Sequence, residues 1–182
     1  MPIPPGFSTI NPFIVTDGAA QLIVFLTGVF DGVEHPDART IDQDGLLLQA
    51  ELQIGGTTVQ LAERKPDWPF TPSLLQVYVD DVAATLERAA SAGATVVTTP
   101  TEFFGSQLAR FLDPAGNLWW LFSIPSDDAG SWGEGDAADG DADWADGQGD
   151  EQWEVTPELG YIHDTLVSAL AGLRDPRQAG AA

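Results

Sequence analysis

The sequence predicts an α+β fold built from two βαβββ modules in tandem, and three observations carry that prediction. Extended, apolar-rich runs alternate with helix-like runs in one order, β-α-β-β-β, and the order occurs twice. The two copies, about residues 8–64 and 73–124, are separated by the proline-flanked stretch 66–72. Each copy also carries its turn chemistry at the same places, a short polar turn before its helix and a glycine-bearing turn before its last strand.

In the first copy, residues 8–16 read as a strand that passes through Asp17-Gly18 into an apolar helix over 19–30. A short strand near Val33 follows, then a strand over 46–54, the Gly55-Gly56 hairpin turn, and a strand over 57–63. In the second copy, residues 74–79 form a strand and residues 81–92 a helix, with Asp81 as its N-cap and Gly93 closing it. Strands over 95–98 and 107–112 come next, then the turn Asp113-Pro114-Ala115-Gly116-Asn117 and a strand over 118–124. Period-two alternation then assigns faces. Leu48, Ala50, Leu52 and Ile54 share one side of their strand and Gln49, Glu51 and Gln53 the other; Val59 and Leu61 oppose Thr58, Gln60 and Ala62; Leu75, Val77 and Val79 oppose Leu74, Gln76 and Tyr78.

Beyond the two copies the composition changes. Residues 1–124 carry 14 acidic and 5 basic side chains, residues 125–154 carry 11 acidic and none basic, and residues 155–182 carry 3 and 2. The middle segment, rich in Gly, Asp and Ala, buries too little apolar surface to offset chain entropy and reads as a disordered acidic linker. Asp139, Asp141 and Asp143 have a calcium-loop spacing, but the required glycine and terminal Glu fall out of register, so a solvated acidic run is the reading. Trp132, Trp144 and Trp153 read either as docking anchors or as contacts with the parent domain. Residues 155–176 form an amphipathic helix with Thr156 as cap and Pro157 at its first position. Its stripe of Leu159, Ile162, Leu166, Leu170 and Leu173, weakened by Gly160 and Gly172, needs burial against its own domain or a second subunit.

Several function classes drop out on composition. A net charge of −21 repels phosphate backbones and anionic lipid surfaces, so neither nucleic acid nor membrane is an expected partner. The absence of cysteine removes disulfides, thiolate metal sites and thiol nucleophiles. With no signal-peptide pattern and no long apolar run, a cytoplasmic protein is expected.

The second copy carries a recognisable pattern. SLLQVYVDDVAATLERAASAGATVV followed by LARFLDPAGNLWWLFS resembles the vicinal oxygen chelate superfamily, which includes glyoxalase I, extradiol dioxygenases and bleomycin-resistance proteins. The first copy, INPFIVTDGAAQLIVF with GGTTVQLAE, resembles the PhnB-like subgroup. The resemblance implies that each module curls a mixed sheet into a half-cup, with its helix on the convex side and up to four metal ligands on the concave side. Those ligand positions fall on Ile10, Gln60, Leu74 and Trp120, none of them an anionic or imidazole donor. The only histidines, His35 in a loop and His163 on the terminal helix, read as surface residues.

No metal and no cofactor are therefore expected. The polar faces named above should form the cup, with Gln49, Glu51, Gln60, Gln76, Tyr78, Trp120 and Phe122 as ligand-binding residues. Arg110, between Leu108 and Leu112, reads as facing the helix side. Trp120 and Glu51 together suit a planar cationic or aromatic compound, and the resemblance implies a metal-free, dimeric binder that sequesters it, as bleomycin-resistance proteins do. Three alternatives stay open: a metal-independent enzyme with Glu51 as base and Tyr78 as acid, an interaction module acting through the acidic segment, and aromatics that merely fill a core.

Overall fold

The structure, a computed structural model, describes residues 2–124 and 156–179; the expected acidic linker and its three tryptophans lie outside the described residues. Among the described residues no helix is long and apolar enough to cross a membrane. The first module runs β1 (Phe13–Thr16), α1 (Ala19–Phe30), β2 (Val33–Glu34), β3 (Thr40–Ile41), β4 (Leu47–Ile54) and β5 (Thr57–Glu63). The second runs β6 (Leu74–Tyr78), α2 (Val82–Ser91), β7 (Thr95–Phe103), β8 (Ser106–Leu112) and β9 (Leu118–Ser123). Helices α3 (Pro157–Gly172) and α4 (Pro176–Ala179) complete the chain. The sheets repeat one topology, β1-β5-β4-β2 with β3 added on β4, and β6-β9-β8-β7, the first strand of each module lying parallel to its last. The α+β fold of two βαβββ modules is thus the observed one.

Two strand boundaries differ from expectation by more than one residue. β1 begins at Phe13 because Pro12 has no N–H and residues 8–11 close a local turn, Ser8 N donating to Asn11 Oδ1 and Asn11 Nδ2 to the Ser8 carbonyl. β7 continues to Phe103 in spite of Pro100, because it is an edge strand whose register shifts between Thr98 and Thr101.

Gly18, at φ +70° and without a side chain to cap α1, is followed by a helix start that Glu63 completes from β5. Its two carboxylate oxygens accept from the backbone N–H groups of Gly18 and Ala19 at 2.9 and 2.8 Å. In α2 the cap is local, the Asp81 carboxylate accepting from Ala84 N at 2.9 Å.

Both helices lie on the same side of the molecule's two sheets, between them. Ile14, Leu22, Leu26, Val29, Leu52 and Leu61 of the first module share one buried core with Val82, Leu86, Phe111, Trp119 and Leu121 of the second. Phe30 joins them, 5.3 Å from Trp119 and 6.3 Å from Phe111 between ring centroids. The helix-side faces therefore meet back to back, and the two open faces point away from one another.

The C-terminal segment then ties the modules together. Arg64, buried at the end of β5, holds Asp175 through two hydrogen bonds of 2.9 and 2.6 Å, and Arg177 reaches Asp17 at 2.6 Å. Hydrogen bonding from Arg64 holds the Asp175 carboxyl below its ordinary range. A carboxyl with a depressed folded value contributes stability above its unfolded value, near pH 4, and loses it as pH falls through the folded value. Asp175→Asn should therefore melt at a lower temperature than the parent at pH 7, and the gap should narrow as the pH of the melt is lowered from 5 toward 3. An equal gap across that range would show that charge plays no part in this anchor.

Candidate functional site

The open face of the second module is the chemically distinctive surface. In the β8–β9 pairing Leu108 lies opposite Phe122 and Arg110 opposite Trp120. Alternation sends Ala109, Phe111, Trp119 and Leu121 into the shared core and leaves Leu108, Arg110, Trp120 and Phe122 on the open side. The expectation that Arg110 faces the helices is thereby corrected. Leu108 and Leu112 do share its face, but that face is apolar because α3 covers it.

The cover is specific. Ile162 of α3, 6% exposed, packs on Leu108 and Phe122, with Phe103 and Trp120 at the margin. Thr165 Oγ1 pairs with Thr98 Oγ1 at 2.8 Å, and the Tyr161 hydroxyl accepts from Thr99 N at 3.1 Å. The expected stripe is only partly used: Ile162 is buried, Leu159, Leu166 and Leu173 are half-buried, and Leu170 is exposed. Hydroxyl contacts along β7 replace much of the apolar contact that the spacing suggests. The helix nevertheless packs on its own domain.

Beneath α3, Arg110 is 1% exposed and its guanidinium carbon stands 3.9 Å from the Trp120 ring centroid. Arg110 Nη1 donates to the Ile162 carbonyl at 2.7 Å and to Thr98 Oγ1 at 3.3 Å. Burial pushes its pKa down to about 10, with no carboxylate among the described residues beside it to counter the loss of water. Arg110 Nε and Trp120 Nε1 are buried with no acceptor among the described residues.

The residues expected to bind ligand fall into two groups. Gln49, Glu51 and Gln60 share the open face of the first module, with Glu51 opposite Gln60 and Gln49 Nε2 donating to Glu51 Oε1 at 3.2 Å. Gln76, Tyr78, Trp120 and Phe122 share the open face of the second, where Gln76 Nε2 donates to the Tyr78 hydroxyl at 2.9 Å and Tyr78 is 64% exposed on the edge strand. Because the modules meet by their helix sides, one chain does not bring Glu51 and Tyr78, or Glu51 and Trp120, to a common site. A cleft of about 660 Å³ does open between the modules, from the β4–β5 hairpin to the start of α2, with Gln76 and Tyr78 along it.

The ligand positions implied by the resemblance shift by one residue in the first module. Pairing of Phe13 with Gln60 and of Gln76 with Trp120 makes those pairs equivalent, so the counterpart of Leu74 is Asn11. Ile10 lies ahead of β1 and is 86% exposed. Among the described residues no group of three or more His, Asp or Glu side chains is placed to hold a metal ion. Thr98, Ile162 and Thr165 were not expected at the site. Their only trace in the sequence is the Leu-x-Arg-x-Leu alternation of β8, whose arginine demands something polar above it.

The sequence profile of the Glyoxalase/Bleomycin resistance protein/Dioxygenase superfamily matches residues 10–121. The chain is 36% identical over 124 residues to the uncharacterized protein Rv0887c of Mycobacterium tuberculosis, covering 62% of this chain and 72% of that protein. The fold is similar to that of a glyoxalase/bleomycin resistance protein/dioxygenase family enzyme from Burkholderia phytofirmans PsJN, with TM-score 0.53 and 21% identity over 62% of this chain and 94% of that one. It is also similar to that of a PhnB protein from Bacillus cereus, with TM-score 0.51 and 15% identity over 64% of this chain and all of that one, 100%. Profile, repeated topology and turn chemistry agree, and the chain belongs to the glyoxalase, bleomycin-resistance and dioxygenase superfamily.

Proposed function

We propose that this chain is a metal-free small-molecule binding protein, assembled as a homodimer, whose binding surfaces are the open faces of its two sheets. The observation that carries the reading is the apolar, aromatic floor of Leu108, Trp120 and Phe122, with a directional polar group set into it, the makeup of a ligand site. The donor set argues against a metal. Asn11, Gln60, Leu74 and Trp120 offer two neutral amides and two hydrocarbon or indole surfaces, which no transition ion prefers. The homodimer is supported by the back-to-back modules, since a second copy would set the Gln49, Glu51 and Gln60 face of one chain against the Trp120 face of another, two faces that lie apart within one chain. Sequestration, in the manner of bleomycin-resistance proteins, is the corresponding activity.

Protein purified without chelators should contain substoichiometric transition metal and run as a dimer at micromolar concentration. In a thermal-shift screen of small aromatic compounds, a ligand at 100 times its Kd stabilises by about 2.7 kcal/mol. Trp120→Ala should weaken that ligand by about 1 kcal/mol or more through lost stacking. One equivalent of Zn, Ni, Mn or Fe per chain, lost on Gln60→Ala, would overturn the metal-free reading, and a monomeric mass would overturn the dimer.

A further inference from the structure

Arg110 stands apart among the seven cationic side chains. Arg39, Arg64, Lys65 and Arg177 each meet a carboxylate. Arg88 and Arg174 are exposed and donate to backbone carbonyls. Arg110 alone is both buried and without an anion among the described residues, in a chain with four acidic side chains for every basic one. A buried guanidinium is costly unless paired. Next to it Trp120 Nε1 is a second buried donor with no acceptor among the described residues, on the residue directly opposite in the strand pairing. Two adjacent orphaned donors, one of them charged, over an apolar floor describe half of a recognition site, and the missing half is an acceptor with negative charge.

We propose that the open face of the second module binds an organic carboxylate, with Arg110 and Trp120 Nε1 taking the carboxylate oxygens and Leu108, Trp120 and Phe122 taking a flat apolar body, and that α3 occupies this site until the ligand displaces it. The mimicry is visible in the contacts: the Ile162 carbonyl accepts from Arg110 where a carboxylate oxygen would, and the Ile162 side chain fills the apolar floor. A single charge is favoured over a dianion because Arg110 is the sole cation on this face. The cationic ligand expected from Trp120 is disfavoured for the same reason, since the Arg110 guanidinium beside that ring would repel a second positive charge.

This inference rests on the open faces being binding surfaces, and calorimetric titration of the full chain separates the two ideas. The probes are naphthalene-2-carboxylate, its neutral carboxamide and naphthalen-2-ylmethylammonium. The carboxylate should bind at least tenfold more tightly than the carboxamide, and the ammonium more weakly still. Arg110→Met should abolish the preference for the carboxylate, Arg110→Lys should retain part of it, and Ile162→Ala should tighten carboxylate binding severalfold by weakening the competing occupant. Backbone amides of α3 should exchange faster with solvent once the carboxylate is bound. Binding of all three probes alike, or a preference that survives Arg110→Met, overturns the carboxylate site while leaving the open face as a binding surface. Slower exchange in α3 on binding overturns displacement. No binding by the parent or by Ile162→Ala overturns both this inference and the functional reading beneath it.

Discussion

Trp119→Ala is expected to cost about 4 kcal/mol of folding stability, and Trp120→Ala less than half of that, although the two residues are neighbours on β9. Trp119 is 1% exposed in the core shared by both modules, stacked on Phe111 at 6.3 Å and 14°, with its Nε1 donating to Asp113 at 2.8 Å. Its removal opens a cavity between two sheets that cannot collapse independently, and it takes one of four donors from the buried Asp113 carboxylate. Trp120 is half-buried under α3, and its Nε1 has no acceptor among the described residues. Replacing it deletes an unpaired buried donor, which is worth about 1–3 kcal/mol in the opposite direction to the lost packing. Urea denaturation followed by circular dichroism measures both. Equal losses would mean that the assignment of faces on β9, and with it the open-face site, is wrong.

The fold was largely legible in the sequence because its signals are local. Asp81 as a cap, the Gly55-Gly56 hairpin and the turn at 113–117 act within a few residues of themselves, and alternation in β4, β5 and β9 needs only a period of two. The site was less legible, for a physical reason that Arg110 makes plain. Alternation separates two faces but does not say which one is buried. In β8 both faces are buried, one by α2 and the shared core and the other by α3, whose Ile162 lies 52 residues from Arg110 in sequence. A Leu-x-Arg-x-Leu run then looks like a helix-facing edge with a misplaced charge. The same nonlocality explains the terminal helix: its leucine spacing implies an apolar docking face, whereas hydroxyls of Thr98, Thr99, Tyr161 and Thr165 do part of the attaching. Likewise the grouping of Gln49, Glu51 and Gln60 apart from Trp120 depends on how two modules meet, which no single strand records.

Asp113→Ala should cost about 3 kcal/mol or more, because this one carboxylate closes the turn that the family pattern advertises. It accepts from the backbone N–H groups of Ala115 and Asn117, from Asn117 Nδ2 and from Trp119 Nε1, all at 2.8 to 3.0 Å. Asn117 in turn passes the constraint on, its Oδ1 accepting from Ser73 N at 3.0 Å, just ahead of β6. Alanine at 113 leaves several buried donors without an acceptor, in a place where the backbone already needs Gly116 at φ +88°. Desolvation raises the Asp113 carboxyl above its ordinary range in spite of its donors, so Asp113→Asn, which keeps the shape but loses acceptors, should fall between parent and alanine. A double-mutant cycle with Trp119→Phe isolates the side-chain pair, and a coupling of about 1 kcal/mol or more is expected for a buried charged hydrogen bond. If the cycle shows no coupling, the Asp113–Trp119 contact is incidental to stability. If it shows the expected coupling while ligand affinity is unchanged in a folded Asp113→Asn variant, the most recognisable stretch of this sequence is a structural rivet and not part of the binding surface.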